Sequence, residues 1–102
     1  MIYAVLLNYT RPMEEVNHHL EPHKAWLVNN LRQGGMIFAG PLDSKTGGMI
    51  LASCPNREAL EAMMAQDPFI AQNVASYQAH ACSPALASAE FPAHWAPGAR
   101  FI

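Results

Sequence analysis

Apolar residues run without a polar break from Ile2 to Leu7, as Ile-Tyr-Ala-Val-Leu-Leu. A continuous run of this kind predicts a strand buried on both faces. Asn8-Tyr9-Thr10-Arg11-Pro12 ends it. The period then changes. Between positions 13 and 34, Met13, Val16, Leu20, Leu27 and Leu31 recur at helical spacing, with Trp26 and Val28 flanking them. That pattern predicts an amphipathic helix. Pro22 interrupts it, because proline lacks an N–H and clashes with the carbonyl four residues back. The segment is therefore kinked or divided there, with the main helix starting near Pro22. Gly34-Gly35 stops it.

Met36-Ile37-Phe38-Ala39-Gly40 reads as a second strand and Gly48 to Cys54 as a third. Pro41 to Gly47 between them is dense in turn formers, which predicts a hairpin connection. Asn56 is placed to cap a second helix with the stripe Ala59, Leu60, Met63 and Met64. Asp67-Pro68 breaks that helix. Asp67 can cap a short new turn with Pro68 in its first position. A last strand follows, with Tyr77, Ala79 and Ala81 on one side and Ser76, Gln78, His80 and Cys82 on the other.

The order β-α-β-β-α-β is the ferredoxin-like, split βαβ arrangement of an α+β fold. Both helices then cover one face of a four-stranded antiparallel sheet and leave the other bare. The domain spans residues 1–84. Residues 85–102 form a tail carrying Phe91, Trp95 and Phe101, and these aromatics are expected to dock.

Composition narrows the function classes. A chain of 102 residues is one domain, and 51% hydrophobic against 14% charged residues excludes disorder. Six Lys+Arg against eight Asp+Glu leave no basic footprint for nucleic acid. No apolar run approaches the about 20 residues of a membrane span. The first run lacks the basic start and cleavage site of a signal peptide. Two cysteines, Cys54 and Cys82, are no disulfide framework, so a cytoplasmic location is expected. A domain this small buries only about 60–65% of its unfolded surface. A homo-oligomer, a homodimer at the least, would cover the spare apolar area.

His23 is the most informative residue for chemistry. It shares the inward stripe with Val16, Leu20, Leu27 and Leu31. Periodicity alone allows a structural core histidine as well as a general acid or base that titrates near neutrality. Asp67 is by itself a common helix cap. Because both helices cover the same sheet face, its carboxylate can also lie beside His23 and fix the imidazole tautomer. Gly40-Pro41, at a strand end, permits close backbone approach of a ligand or serves a turn. His19 and His23 share a helix face, but with His18 they have no carboxylate at set spacing, and His80 and Cys82 are a similarly weak pair, so no metal is expected. Phosphate-loop, nucleophile-elbow and Cys-x-x-Cys motifs are missing, and no cofactor is expected.

Pro22-x-x-x-Trp26-Leu27 around His23, Gly34/Gly35 before Met36 to Leu42, and Asp67-Pro68-Phe69 together resemble the YciI-like (YCII-related) family over residues 1–84. The resemblance implies a ferredoxin-like domain that pairs into a dimeric α+β barrel. It implies His23 and Asp67 as a catalytic pair. The chain departs from the family at Leu20, where many members carry arginine, and in running on to Ile102. The family includes a dehydrochlorinase of a chlorinated hydroxyhydroquinone. The function so implied is cofactor-free elimination of HCl from such a ring in aromatic degradation, with Gly40, Pro41 and Leu42 binding the small aromatic substrate. Isomerisation of a small phenolic or cyclic acid is the neighbouring alternative. A non-catalytic dimeric ligand-binding module is the alternative of another class.

Overall fold

Four strands make one antiparallel sheet: β1 (Ile2–Tyr9), β2 (Met36–Pro41), β3 (Gly47–Ser53) and β4 (Ala75–Cys82), in the order β2-β3-β1-β4. This is the ferredoxin-like α+β topology. The computed structural model describes residues 1–102. β1 is central, running from Ile2 opposite Ser53 and Cys82 to Asn8 opposite Gly47 and Ser76.

β1 is not buried on both faces within one chain. Tyr3, Val5 and Leu7 sit in the core with Leu60, Met64 and Phe69. Leu6, on the opposite face, is 38% exposed. The apolar alternates therefore belong to two different surfaces. Register puts Ala4, Leu6, Phe38, Met49 and Leu51 together on the uncovered face. Phe38 there is 49% exposed.

The first helical segment divides, as Pro22 demands, into α1 (Met13–Asn17) and α2 (Leu20–Gln33). The division falls at His18-His19, and α2 begins two residues before Pro22. The reason lies in helix-end chemistry. N–H groups of a first turn have no intrahelical partner, so a proline there forfeits no bond. His23, the next residue, donates the first such bond from its N–H to His19 O at 3.1 Å. α1, only five residues long, buries Val16 and leaves Met13 exposed. α2 ends on Gly34 with φ 84°, the left-handed cap expected of glycine. Leu31, in its last turn, is exposed rather than inward.

α3 (Arg57–Ala65) starts where Asn56 Oδ1 accepts the Ala59 N–H at 2.8 Å, and it buries Leu60 and Met64. α4 (Pro68–Ala71) is one turn, capped by Asp67 with Pro68 first. The tail closes on itself. β5 (Leu86–Ala87) pairs in parallel with β6 (Arg100–Phe101), and Phe91 packs on Trp95 across 5.8 Å. The hydrophobic core and the side chains packed on it include none of Phe91, Trp95 and Phe101.

Gly47 marks the tightest point of the sheet. A Cβ there would lie 1.7 Å from the Leu7 carbonyl oxygen, while one at Gly40 meets nothing within 4 Å. Gly47→Ala is expected to destabilise the fold by about 1–3 kcal/mol or more, as overpacking does. Gly40→Ala is expected to leave a thermal melt nearly unchanged.

Candidate active site

α2 aims His23 at the sheet, and the turn before α4 aims Asp67 at α2. Neither placement is accidental to the sequence. Pro22 starts the ladder that holds His23, and Pro68 fixes the turn that Asp67 caps. His23 is 7% exposed and Asp67 0%. His23 Nδ1 lies 2.7 Å from Asp67 Oδ1, which also accepts the Phe69 N–H at 3.0 Å.

An ionised carboxylate only accepts, so Nδ1 is the donor in this bond, and in the neutral imidazole Nε2 is the nitrogen with the lone pair. Phe69 fixes the plane of the ring: it stacks on the imidazole at 3.8 Å and 7°. Tyr9 meets Phe69 edge-on at 6.0 Å, and Trp26 lies 5.8 Å from the imidazole on α2. The buried side-chain polar atoms without a partner are Trp26 Nε1 and Asp67 Oδ2. His23 Nε2 has no protein partner either, yet it is not among the sealed atoms, so it reaches open space.

That space is a pocket of about 300 Å³ lined in part by His23 and Phe69. Leu7, Leu20, Leu27 and Ile50 make its apolar walls, and Tyr9 and Lys24 add polar groups. A few polar groups in an apolar concavity is the usual make-up of a small-ligand site. Lys24 is paired with Glu21 at 3.3 Å, but both side chains are exposed and the pair is weak.

Of the residues picked out by sequence, His23, Asp67, Gly40 and Pro41 converge here. Gly40 and Pro41 line the pocket at the end of β2. Leu42 does not. Its N–H closes the β2–β3 hairpin by donating to Gly47 O at 3.0 Å, so its amide is not free to bind substrate. Its side chain borders a separate depression with Asn8 and Tyr77. Leu20 is part of the apolar wall.

Tyr9 and Lys24 went unread in the sequence. The alternation of β1 contained the signal for Tyr9, since residues 5, 7 and 9 share a face. Cys54 is no rival nucleophile, because burial pushes its thiol above the usual range and keeps it protonated. No cluster of three or more His, Cys, Asp or Glu side chains is arranged to hold a metal. No helix is long and apolar enough to cross a membrane.

Comparison with known proteins places these observations. No curated protein matches the chain. Among solved structures it is similar to the 5-chloro-2-hydroxyhydroquinone dehydrochlorinase TftG from Burkholderia phenoliruptrix AC1100, in complex with 2,5-dihydroxybenzoquinone. The TM-score is 0.69 at 16% identity, over 82% of this chain and 95% of that one. At that identity the likeness is one of fold. The model of the YCII-related domain matches residues 1–81. That match takes in the whole sheet up to Ala81 together with His23 and Asp67, and the chain belongs to the YCII-related family.

Proposed function

We propose that this protein is a cofactor-free acid–base enzyme that eliminates HCl from a chlorinated hydroxyhydroquinone. His23 is its base, and Asp67 orients and charge-balances the imidazole. One observation carries the reading. A buried carboxylate bonds His23 Nδ1 at 2.7 Å while Nε2 opens onto a pocket. A His–carboxylate pair with a free ring nitrogen is equipped to take up and return one proton. The fold-level neighbour adds support, since its ligand 2,5-dihydroxybenzoquinone is a flat oxygenated ring of the size this pocket accepts.

The chemistry balances without a second substrate. His23 Nε2 takes the proton of one ring hydroxyl and returns it to the carbon bearing chlorine. That oxygen becomes a ketone, and the carbon becomes tetrahedral. Nε2 then takes the proton of a second hydroxyl. The oxygen lone pair forms a carbonyl, the ring double bond shifts, and the C–Cl bond breaks with its electron pair leaving on chloride. The products are a hydroxyquinone and HCl. Asp67 stabilises each transient imidazolium.

The acidic substrate meets Lys24 at the pocket and Tyr9 as a hydrogen-bonding group. Gly40 and Pro41 border the ring at the end of β2. Positioned proton transfer contributes about 10²–10⁴-fold, which suits a ring already activated by three oxygens. The two free cysteines, Cys54 and Cys82, accord with a cytoplasmic home.

We place a second copy of the chain on the bare sheet face. Leu6 and Phe38 are 38% and 49% exposed there, an apolar patch that a monomer would not leave in water. We assign the tail to the same assembly, because Leu86 and Ile102 are 67% and 75% exposed. Light scattering at micromolar concentration is expected to give a dimer, and Leu6→Lys with Phe38→Glu a monomer. Deleting residues 86–102 is expected to weaken the dimer. A wild-type monomer contradicts the assembly.

Soaking crystals with 2,5-dihydroxybenzoquinone, the neighbour's ligand, tests the site itself. The ring is expected against His23 Nε2, between Phe69 and Gly40-Pro41. A ring bound elsewhere, or none at saturating concentration, contradicts the assignment.

A further inference from the structure

We propose that Trp26 is a positioning residue of the His23–Asp67 pair, its indole N–H serving Asp67 Oδ2 across at most one bridging water. The proposal deepens the acid–base reading above and rests on it.

Trp26 Nε1 and Asp67 Oδ2 are the buried side-chain polar atoms left without a partner in this chain. Buried polar atoms are nearly always bonded, so each such atom needs a physical reason. These two have opposite needs. An indole N–H only donates, and a carboxylate oxygen only accepts. They also flank one side chain. The Trp26 ring lies 5.8 Å from the His23 imidazole, and Asp67 is bonded to that imidazole. Burial cuts both atoms off from bulk water, and each has the chemistry the other lacks.

The helix places the indole behind the pair rather than in the pocket. Leu20, Lys24 and Leu27 line the pocket from one flank of His23 on α2. Trp26, three residues on from His23, falls on the other flank and does not line it. Trp26 therefore acts through Asp67 and not on substrate. Its task follows from the carboxylate's freedom. Oδ1 already takes both the His23 Nδ1 proton and the Phe69 N–H. With Oδ2 untied, rotation of the carboxylate would swing Oδ1 away from Nδ1. A donor on Oδ2 opposes that rotation and holds the imidazole in its working tautomer.

The chain has two tryptophans, Trp26 and Trp95, so a proton–nitrogen correlation spectrum shows two indole N–H signals. Trp26→Phe identifies which is which. Asp67→Asn is expected to move the Trp26 signal upfield, because a neutral amide oxygen is a weaker acceptor than a carboxylate. The Trp95 signal, in the tail, is expected to stay. Asp67→Ser keeps the helix cap and serves where Asp67→Asn fails to fold. Trp26→Phe is expected to lower kcat about tenfold or more at nearly constant KM, the scale on which supporting hydrogen-bond partners act. A Trp26 signal indifferent to both Asp67 variants overturns the bond. Wild-type kcat in a folded Trp26→Phe protein overturns the positioning role. The two readings fail separately: an inactive wild type whose Trp26 signal still answers to Asp67→Asn overturns the acid–base proposal and upholds the bond.

Discussion

His23→Asn is expected to leave the fold standing and to remove about 10²–10⁴-fold of the turnover, the contribution of a positioned acid–base group. Asparagine retains an amide N–H for Asp67 Oδ1 but has nothing that gains and loses a proton near neutral pH. Asp67→Asn is expected to lose most of the turnover as well. Asparagine caps a helix about as well as aspartate, so α4 survives the change. What disappears is the negative charge beside the imidazole. The double variant is expected to be no slower than the slower single one, because the two groups act as a unit. A merely structural pair behaves in the reverse way. His23→Asn would then cost a few kcal/mol through an imperfectly satisfied buried group, and Asp67→Asn almost nothing. Thermal melts and initial rates on the same three proteins separate the two patterns.

Phe69→Ala is expected to have the largest effect on stability, about 3–5 kcal/mol, as for other buried phenylalanines. Phe69 is 1% exposed, stacks on His23 at 3.8 Å and receives the edge of Tyr9 at 6.0 Å. Removing it opens a cavity in the core and frees the imidazole plane together. The urea midpoint is expected to fall at an unchanged slope. Phe69→Leu fills most of the volume and is expected to lose less stability while still loosening the imidazole. A Phe69→Ala protein as stable as wild type would mean that the stack holds nothing in place.

The parts of the site readable from sequence are those in which local chemistry and periodicity agree. His23 sits on an apolar stripe, where an imidazole is conspicuous. Asp67-Pro68 is a cap written into two residues, and the topology then forces the two helices onto one sheet face. The remainder depends on three-dimensional facts that a linear pattern does not carry. Leu42 looks like part of the Gly40-Pro41 turn, yet hairpin closure consumes its amide. The unbroken run in β1 suggests burial on both faces, but one chain supplies helices for only one of them. Three aromatics in the tail argue for docking, but a linear pattern does not tell that Phe91 and Trp95 pack on each other. The helix start at Leu20 precedes Pro22 because a first turn does not need the missing N–H. Tyr9 follows the strand alternation to the end of β1, although turn formers stand on both sides of it. Lys24 gave no signal beyond its adjacency to His23.

In the proposed reaction His23 and Asp67 remove HCl from a chlorinated hydroxyhydroquinone without help from any other reagent. The direct measurement follows chloride and hydroxyquinone together, anaerobically, with purified protein and a chlorinated hydroxyhydroquinone as sole addition. Chloride is expected to be released saturably in step with hydroxyquinone, and the release to be nearly abolished in His23→Asn. Chloride release no faster than without protein, or a folded His23→Asn variant that works at the wild-type rate, would contradict it.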